Sequence, residues 1–166
     1  MTRTIGSAAA AKVVQKITGP SGATSGLAAL TQGCASSPGP FDLAQVRSQN
    51  VPAELAERST LLHYPMVNVY CEKIVNSLQE KFRAFSGTVE MAVEIRYSQD
   101  RLDGLQDALD LYTDAVTQVL NGGRGDWGDG MFYGGAYEVS FAPVKKGGKN
   151  FMQVAKVTFE IGVSRS

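Results

Sequence analysis

The sequence predicts an α+β protein, in which an antiparallel sheet of about four strands packs against one main amphipathic helix. Two observations support this prediction. Apolar and polar side chains alternate over residues 88–98 and again over 151–163, as in strands that bury one face. Between these stretches, apolar side chains recur every three or four positions over residues 100–120, as in a helix with one buried side. A small-residue-rich helical arm at the N-terminus completes the predicted fold.

Residues 1–50 are predicted to form an N-terminal helix and a flexible arm rich in glycine, alanine and serine. An alanine run and a modest apolar edge over residues 7–17 favour a helix that ends before Gly19 and Pro20. A segment of this composition buries little apolar surface by itself. Residues 51–59 then favour a short helix opened by Pro52. The core domain is predicted to span residues 51–166.

Strands are predicted on both sides of the main helix. Residues 63–70 favour a strand that tolerates Pro65 near its start. The next stretch, 71–87, is compatible with a continued strand and a turn near Asn76, or with a short helix. The strand at 88–98 follows. Residues 136–142 and 151–163 are predicted to form the last two strands, which residues 143–150 join as a long hairpin.

The helix predicted from Asp100 to Leu120 separates two kinds of side chain. Its apolar side contains Leu102, Leu105, Leu109, Tyr112, Val116 and Val119, and its opposite side contains Asp103, Asp107, Asp110 and Asp114. Aspartates in one line repel one another, whereas exposed helices ordinarily mix charge signs. The stripe is therefore either a solvated face or a surface that meets a basic partner or a channel. Three lysines in the last hairpin, Lys145, Lys146 and Lys149, would complement it on a second copy.

Composition argues against several classes of protein. Sixteen basic and sixteen acidic residues cancel, which gives no support for a protein that grips nucleic acid through its phosphates. No run of about 18 apolar residues is present, so no membrane span is predicted. Cys34 and Cys71 are too few and too far apart for a metal knot, and we expect thiols. The single histidine, His63, lacks neighbours at ligand spacing and is interpreted as structural.

The stretch NGGRGDWGDG, residues 121–130, directly follows the main helix. It is not a phosphate-binding loop, because it leaves a helix instead of entering one and lacks Gly-Lys-Ser/Thr. Asp126 and Asp129 resemble part of a calcium loop, but the other spaced oxygens and the closing glutamate are missing. No nucleophile elbow or Cys–His pattern occurs elsewhere. The sequence therefore predicts no catalytic residue, no metal site and no cofactor.

The order of elements resembles the tail terminator and tail-completion (neck) proteins of tailed bacteriophages. The resemblance rests on the N-terminal helix, the strand YPMVNVY, the strand GTVEMAVEIRY, the helix DGLQDALDLYTDAVTQVL and the closing hairpin. It covers roughly residues 5–163 as a layout and includes no invariant motif. The family implies a hexameric ring that caps the tail tube and joins it to the neck, in a virion assembled in the host cytoplasm. A Gly/Ser-rich insertion between residues 18 and 50 departs from the family.

This resemblance implies a structural protein and not an enzyme. Its partners would be further copies of the chain, the tail tube and the neck or connector proteins. DNA would pass through the lumen without specific binding, since an acidic lumen repels phosphates. In such a ring, Arg124 and Trp127 would belong to a glycine-rich contact arm, with the tryptophan as its aromatic anchor. Two alternatives stay open: another head–tail connector or tail tube protein, and a small ligand-binding or enzymatic domain that uses residues 121–132 as a lid.

Overall fold

A computed structural model describes residues 3–31, 39, 41, 43–51 and 64–166. Its helices are α1 (Ile5–Thr18), α2 (Ala23–Leu30) and α3 (Leu105–Gly122), with one 3-10 turn at Leu43–Gln45. Its strands are β1 (Val46–Arg47), β2 (Met66–Asn76), β3 (Phe85–Gln99), β4 (Gly125–Gly128), β5 (Met131–Phe141), β6 (Lys145–Gly147) and β7 (Asn150–Arg165). His63, Cys34 and the helix predicted at 51–59 fall wholly or mostly outside the described residues.

The sheet is larger than the sequence predicts. Among the described residues, seven strands form one sheet in the order β1-β2-β3-β7-β5-β4, and β6 pairs with the start of β7. The sheet curls into a half-barrel. It is mixed, because β1 runs parallel to β2 while the other pairs are antiparallel. The prediction of an antiparallel sheet of about four strands is therefore wrong. The additional strands, β1, β4 and β6, have two to four residues each, too few to show an alternating pattern.

The N-terminal helices form a packed layer and not an arm. Helix α1 packs against β2 and β3, and α2 packs against α3. Both helices contribute to the same hydrophobic core as the sheet, through residues such as Val13, Ile17 and Leu27. Small side chains permit this close packing: a Cβ added at Gly26 would lie 3.3 Å from the carbonyl oxygen of Ala115 in α3. Here small residues bring helices together, although the same composition is also typical of flexible segments.

Helix α3 crosses the inner face of the sheet and packs on β3 and β7. Most of its predicted apolar side is buried, including Leu105, Leu109, Tyr112 and Val116. Leu102 is the exception, with 57% of its surface exposed. The helix begins only at Leu105, after Gly104 in the left-handed conformation (φ 78°). Leu102 therefore lies in the preceding turn and does not share the helical periodicity.

The two central strands confirm the predicted alternation. In β3, Val89, Met91, Val93 and Ile95 are fully buried, and in β7 Ala155, Val157, Phe159, Ile161 and Val163 are buried. The ambiguous stretch 71–87 continues as strand β2 to Asn76 and then turns. Strand β5 begins at Met131, before the predicted start at residue 136. Its inner face opens to solvent toward the end, where Phe141 is 44% exposed.

Candidate functional site

The acidic stripe of α3 faces away from the core. Asp103 precedes the helix, and Asp103, Asp107 and Asp114 are exposed. Asp110 is half-buried, and its Oδ1 accepts a hydrogen bond of 2.8 Å from Nε2 of Gln106. Among the described residues, no ion pair joins any of the four aspartates to a base. Their mutual repulsion is therefore not relieved by those residues.

The basic hairpin is formed by β6 and the start of β7. Lys145, Lys146 and Lys149 are all exposed, and Nζ of Lys146 lies 5.7 Å from the ring centre of Phe151. The hairpin is connected to the first turn of α3 through Gln153, whose Nε2 donates to Oε1 of Gln106 at 2.6 Å. Lys146 and Lys149 form no ion pair with the described residues. Within one subunit, therefore, the described residues show no ion pair between the acidic group and these two lysines.

Trp127 is placed differently from the prediction. Its side chain is only 6% exposed, and its Nε1 donates to the carbonyl oxygen of Gly123 at 2.5 Å. The ring lies 5.3 Å from Tyr133 and 6.5 Å from Phe159, between ring centres. Nζ of Lys16 lies 4.9 Å from the indole centre, a cation–π distance. Trp127 therefore stabilises its own subunit, and its exposed area is too small to anchor a partner.

The rest of the glycine-rich stretch is also ordered by local contacts. Residues 125–128 are strand β4, which pairs with β5 and so does not form a free loop. Arg124 is exposed, and its side chain crosses β5 where a Cβ at Gly135 (φ 105°) would overlap it. Within residues 121–132, the part between α3 and β5 therefore contains the edge strand β4. These contacts provide no support for a lid.

The two aspartates of this stretch serve the fold. Asp129 forms an ion pair of 3.3 Å with Lys12 of α1. Oδ1 of Asp126 accepts a hydrogen bond of 2.8 Å from the backbone N–H of Gly128, which closes a tight turn. No cluster of three or more His, Cys, Asp or Glu side chains suited to a metal occurs in the described part of the chain.

A polar network on the outer face of the sheet was not predicted. The hydroxyl of Tyr70 donates to Oε1 of Glu94 at 2.6 Å, and Nη2 of Arg96 lies 2.9 Å from Oε2 of the same carboxylate. Nη2 of Arg96 also donates to the carbonyl oxygen of Val51. Burial, followed by the hydrogen bond to Glu94, raises the pKa of Tyr70 above its ordinary value. Alternating polar residues in β3 suggested a solvated face, whereas Arg96 is 4% exposed.

Two further surfaces were also not predicted from the sequence. The hairpin tip, defined as residues 74–82, consists of the end of β2 and the turn that leads toward β3. It exposes four large apolar side chains: Ile74, Val75, Leu78 and Phe82. The glutamate groove is a concavity of about 660 Å³ on the outer face of β3, β7 and β5. Its lining includes Glu90, Glu138, Glu160 and Phe132. Three separate strands contribute these carboxylates, so no local motif could have identified the groove.

No helix within the described residues is both long enough and apolar enough to cross a membrane.

No protein-family model matches the chain, and no curated protein matches it in sequence.

Proposed function

We propose that the protein is a structural component of a phage virion, a tail terminator. Copies of the chain form a hexameric ring that caps the tail tube and joins it to the head or neck. The ring assembles in the host cytoplasm, and its neighbours are tail tube and connector proteins. A related assignment is another head–tail connector or tube protein. The same surface features would support it, and only the proteins next to the ring would differ.

The presence of two exposed charged groups of opposite sign, with no ion pair between them, is the main support for this proposal. Asp107 and Asp114 of α3, with Asp103 in the preceding turn, present negative charge, while Lys146 and Lys149 of the β6–β7 hairpin present positive charge. Neither group is neutralised by the described residues. Two different complementary patches on one chain favour a head-to-tail contact, and such a contact can close into a ring.

The order of the long elements supports the same proposal. The long elements follow the order in which the chain resembles the tail terminator proteins: helix α1, strands β2 and β3, helix α3, then strands β5 and β7. The short strands β1, β4 and β6 extend the sheet without changing this order.

An exchange of charges between the two patches tests the proposal. Lys146→Glu with Lys149→Glu should weaken assembly, most strongly at low ionic strength, where repulsion between like charges is least screened. Adding Asp107→Lys and Asp110→Lys to the same chain should partly restore assembly, because attraction returns with its sign reversed. Sedimentation velocity across a salt series measures both effects.

A matched control reverses two exposed bases outside the hairpin, Arg3→Glu and Lys73→Glu, which changes the net charge equally. The control should assemble like the wild type. If the hairpin variant also assembles like the wild type at every salt concentration, the cross-subunit pairing is wrong. If instead the aspartate reversal alone leaves assembly intact and makes the ring bind DNA, the acidic stripe lines the lumen.

A further inference from the structure

We propose that the hairpin tip of one copy docks into the glutamate groove of a neighbouring copy. This inference rests on the proposed ring and names a second contact within it. It joins two surfaces that the charge patches of α3 and the β6–β7 hairpin do not include. The partner is therefore a second copy of this chain.

The hairpin tip displays apolar surface on a defined backbone. Phe82 is fully exposed, Leu78 is 64% exposed, and Ile74 is 48% exposed. Leu78 and Phe82 both have positive φ angles, 49° and 64°, a conformation that large side chains seldom adopt. Concentrated apolar exposure of this kind is typical of interaction surfaces.

Side-chain hydrogen bonds hold the tip in this conformation. Oδ1 of Asn76 accepts from the backbone N–H groups of Leu78 at 3.4 Å and Ser86 at 3.0 Å. Oγ of Ser86 accepts from the N–H of Glu80 at 3.0 Å. The tip is therefore shaped before any partner binds, which lowers the entropic cost of docking.

The glutamate groove concentrates negative charge beside apolar surface. Glu90 of β3 and Glu160 of β7 are direct cross-strand neighbours, an arrangement in which like charges repel. Glu138 of β5 lines the same groove, and Phe132, which is 57% exposed, provides an aromatic surface. None of the three carboxylates has an ion-pair partner among the described residues. A cation brought by a partner would relieve this repulsion.

The tip carries the complementary chemistry. Lys81 directly precedes Phe82 and forms no ion pair with the described residues, whereas Arg83 is paired with Glu80 at 3.4 Å. An ammonium group beside an exposed phenyl ring thus matches carboxylates beside an exposed phenyl ring. Within the subunit, Phe82 remains in solvent and does not fill the groove. Because tip and groove are different surfaces, the contact between copies can be head-to-tail.

Self-association of tip and groove variants tests the proposal. Phe82→Ala should weaken association about tenfold or more, as expected when an aromatic anchor is removed from an interface. Lys81→Glu and Glu138→Lys should each weaken association, and the two changes together should partly restore it. Mass photometry over a dilution series gives the populations of free and associated subunits.

The control is Leu102→Ala, which removes an exposed apolar side chain that belongs to neither the tip nor the groove. It should associate like the wild type. Thermal melts of all variants should match the wild type, since each altered side chain is exposed. Wild-type association by Phe82→Ala and by both charge variants would overturn the docking contact.

Failure of this contact is distinguishable from failure of the ring. If the ring forms equally well with every tip variant, the docking contact is ruled out and the ring is not. If the protein is a closed dimer that dissociates on Phe82→Ala, docking is supported and the ring is ruled out. If the wild-type protein stays monomeric at every concentration, both the docking contact and the ring are ruled out.

Discussion

Tyr133 is a buried phenol, and its ionisation makes the stability of the fold depend on pH. It is 1% exposed, and burial raises its pKa to about 12, with a further contribution from Tyr137 that Arg124 partly opposes. In the unfolded chain a tyrosine ionises near pH 10. The stabilisation is therefore complete below about pH 10 and is lost as the pH rises toward 12.

The phenol of Tyr133 should account for a measurable part of this loss. At pH 11 the shift corresponds to about 1 kcal/mol of lost unfolding free energy relative to pH 8. Urea denaturation at the two pH values should show a smaller loss for Tyr133→Phe than for the wild type. The difference between the variants is the informative quantity, because other alkaline titrations are common to both. Equal losses in the two proteins would contradict the assignment to Tyr133.

The burial of Trp127 could not be predicted from its neighbours in the sequence. A tryptophan between glycines suggests an exposed anchor, but its surroundings come from Lys16 in α1, Tyr133 in β5 and Phe159 in β7. Lys16 and Phe159 are far from it in sequence, and only the tertiary fold brings them to the indole. The charged residues of the predicted site, in contrast, are exposed with one partial exception, Asp110. Helical periodicity was enough to place Asp107, Asp110 and Asp114 away from the buried side of α3.

Long elements with one buried face could be predicted, and short or two-sided elements could not. The alternation in β3 and β7 extends over enough residues to identify the buried face in each strand. Strand β1 has two residues and β4 has four, so they leave no periodic signal. The start of α3 was misplaced because Leu102 happened to match the helical spacing before Gly104. The local pattern therefore predicted correctly whether each long element is a helix or a strand, but it predicted their first and last residues less well.

The packing of α3 on the sheet can be tested by removing one of its buried side chains. Leu109 is completely buried, so Leu109→Ala should lower the unfolding free energy by about 2–5 kcal/mol through lost burial and a cavity. Leu102→Ala provides the matched control and should change it by less than about 0.5 kcal/mol, because that side chain is mostly exposed. Urea melts followed by circular dichroism measure both values. Similar effects of the two substitutions would mean that α3 does not pack as described.

At the scale of the whole molecule, α1 and α3 pack on the sheet, and α2 packs on α3. Helices α1 and α2 form part of the core with α3, so the N-terminal segment belongs to the folded unit. Its alanines and glycines did not reveal this, because small residues are as common in flexible segments as in closely packed helices. The groove could not be predicted either, since its carboxylates come from three strands that are distant from one another in sequence.

A subunit with these surfaces should associate with further copies. The acidic stripe and the basic hairpin are exposed and unlike one another, and the hairpin tip adds apolar area. Each feature is more readily explained by a repeated contact between copies than by an isolated subunit. The oligomeric state is therefore the property on which the proposed function most directly depends.

Native mass spectrometry of the purified wild-type protein at low ionic strength, with negative-stain images of the same sample, measures that property. The proposed function predicts an assembly of six 17.7 kDa chains that appears as a ring with a central opening. Dissociation with rising salt should accompany it, because part of the contact is electrostatic. A monomer at every concentration, with no rings in the images, would contradict the proposal.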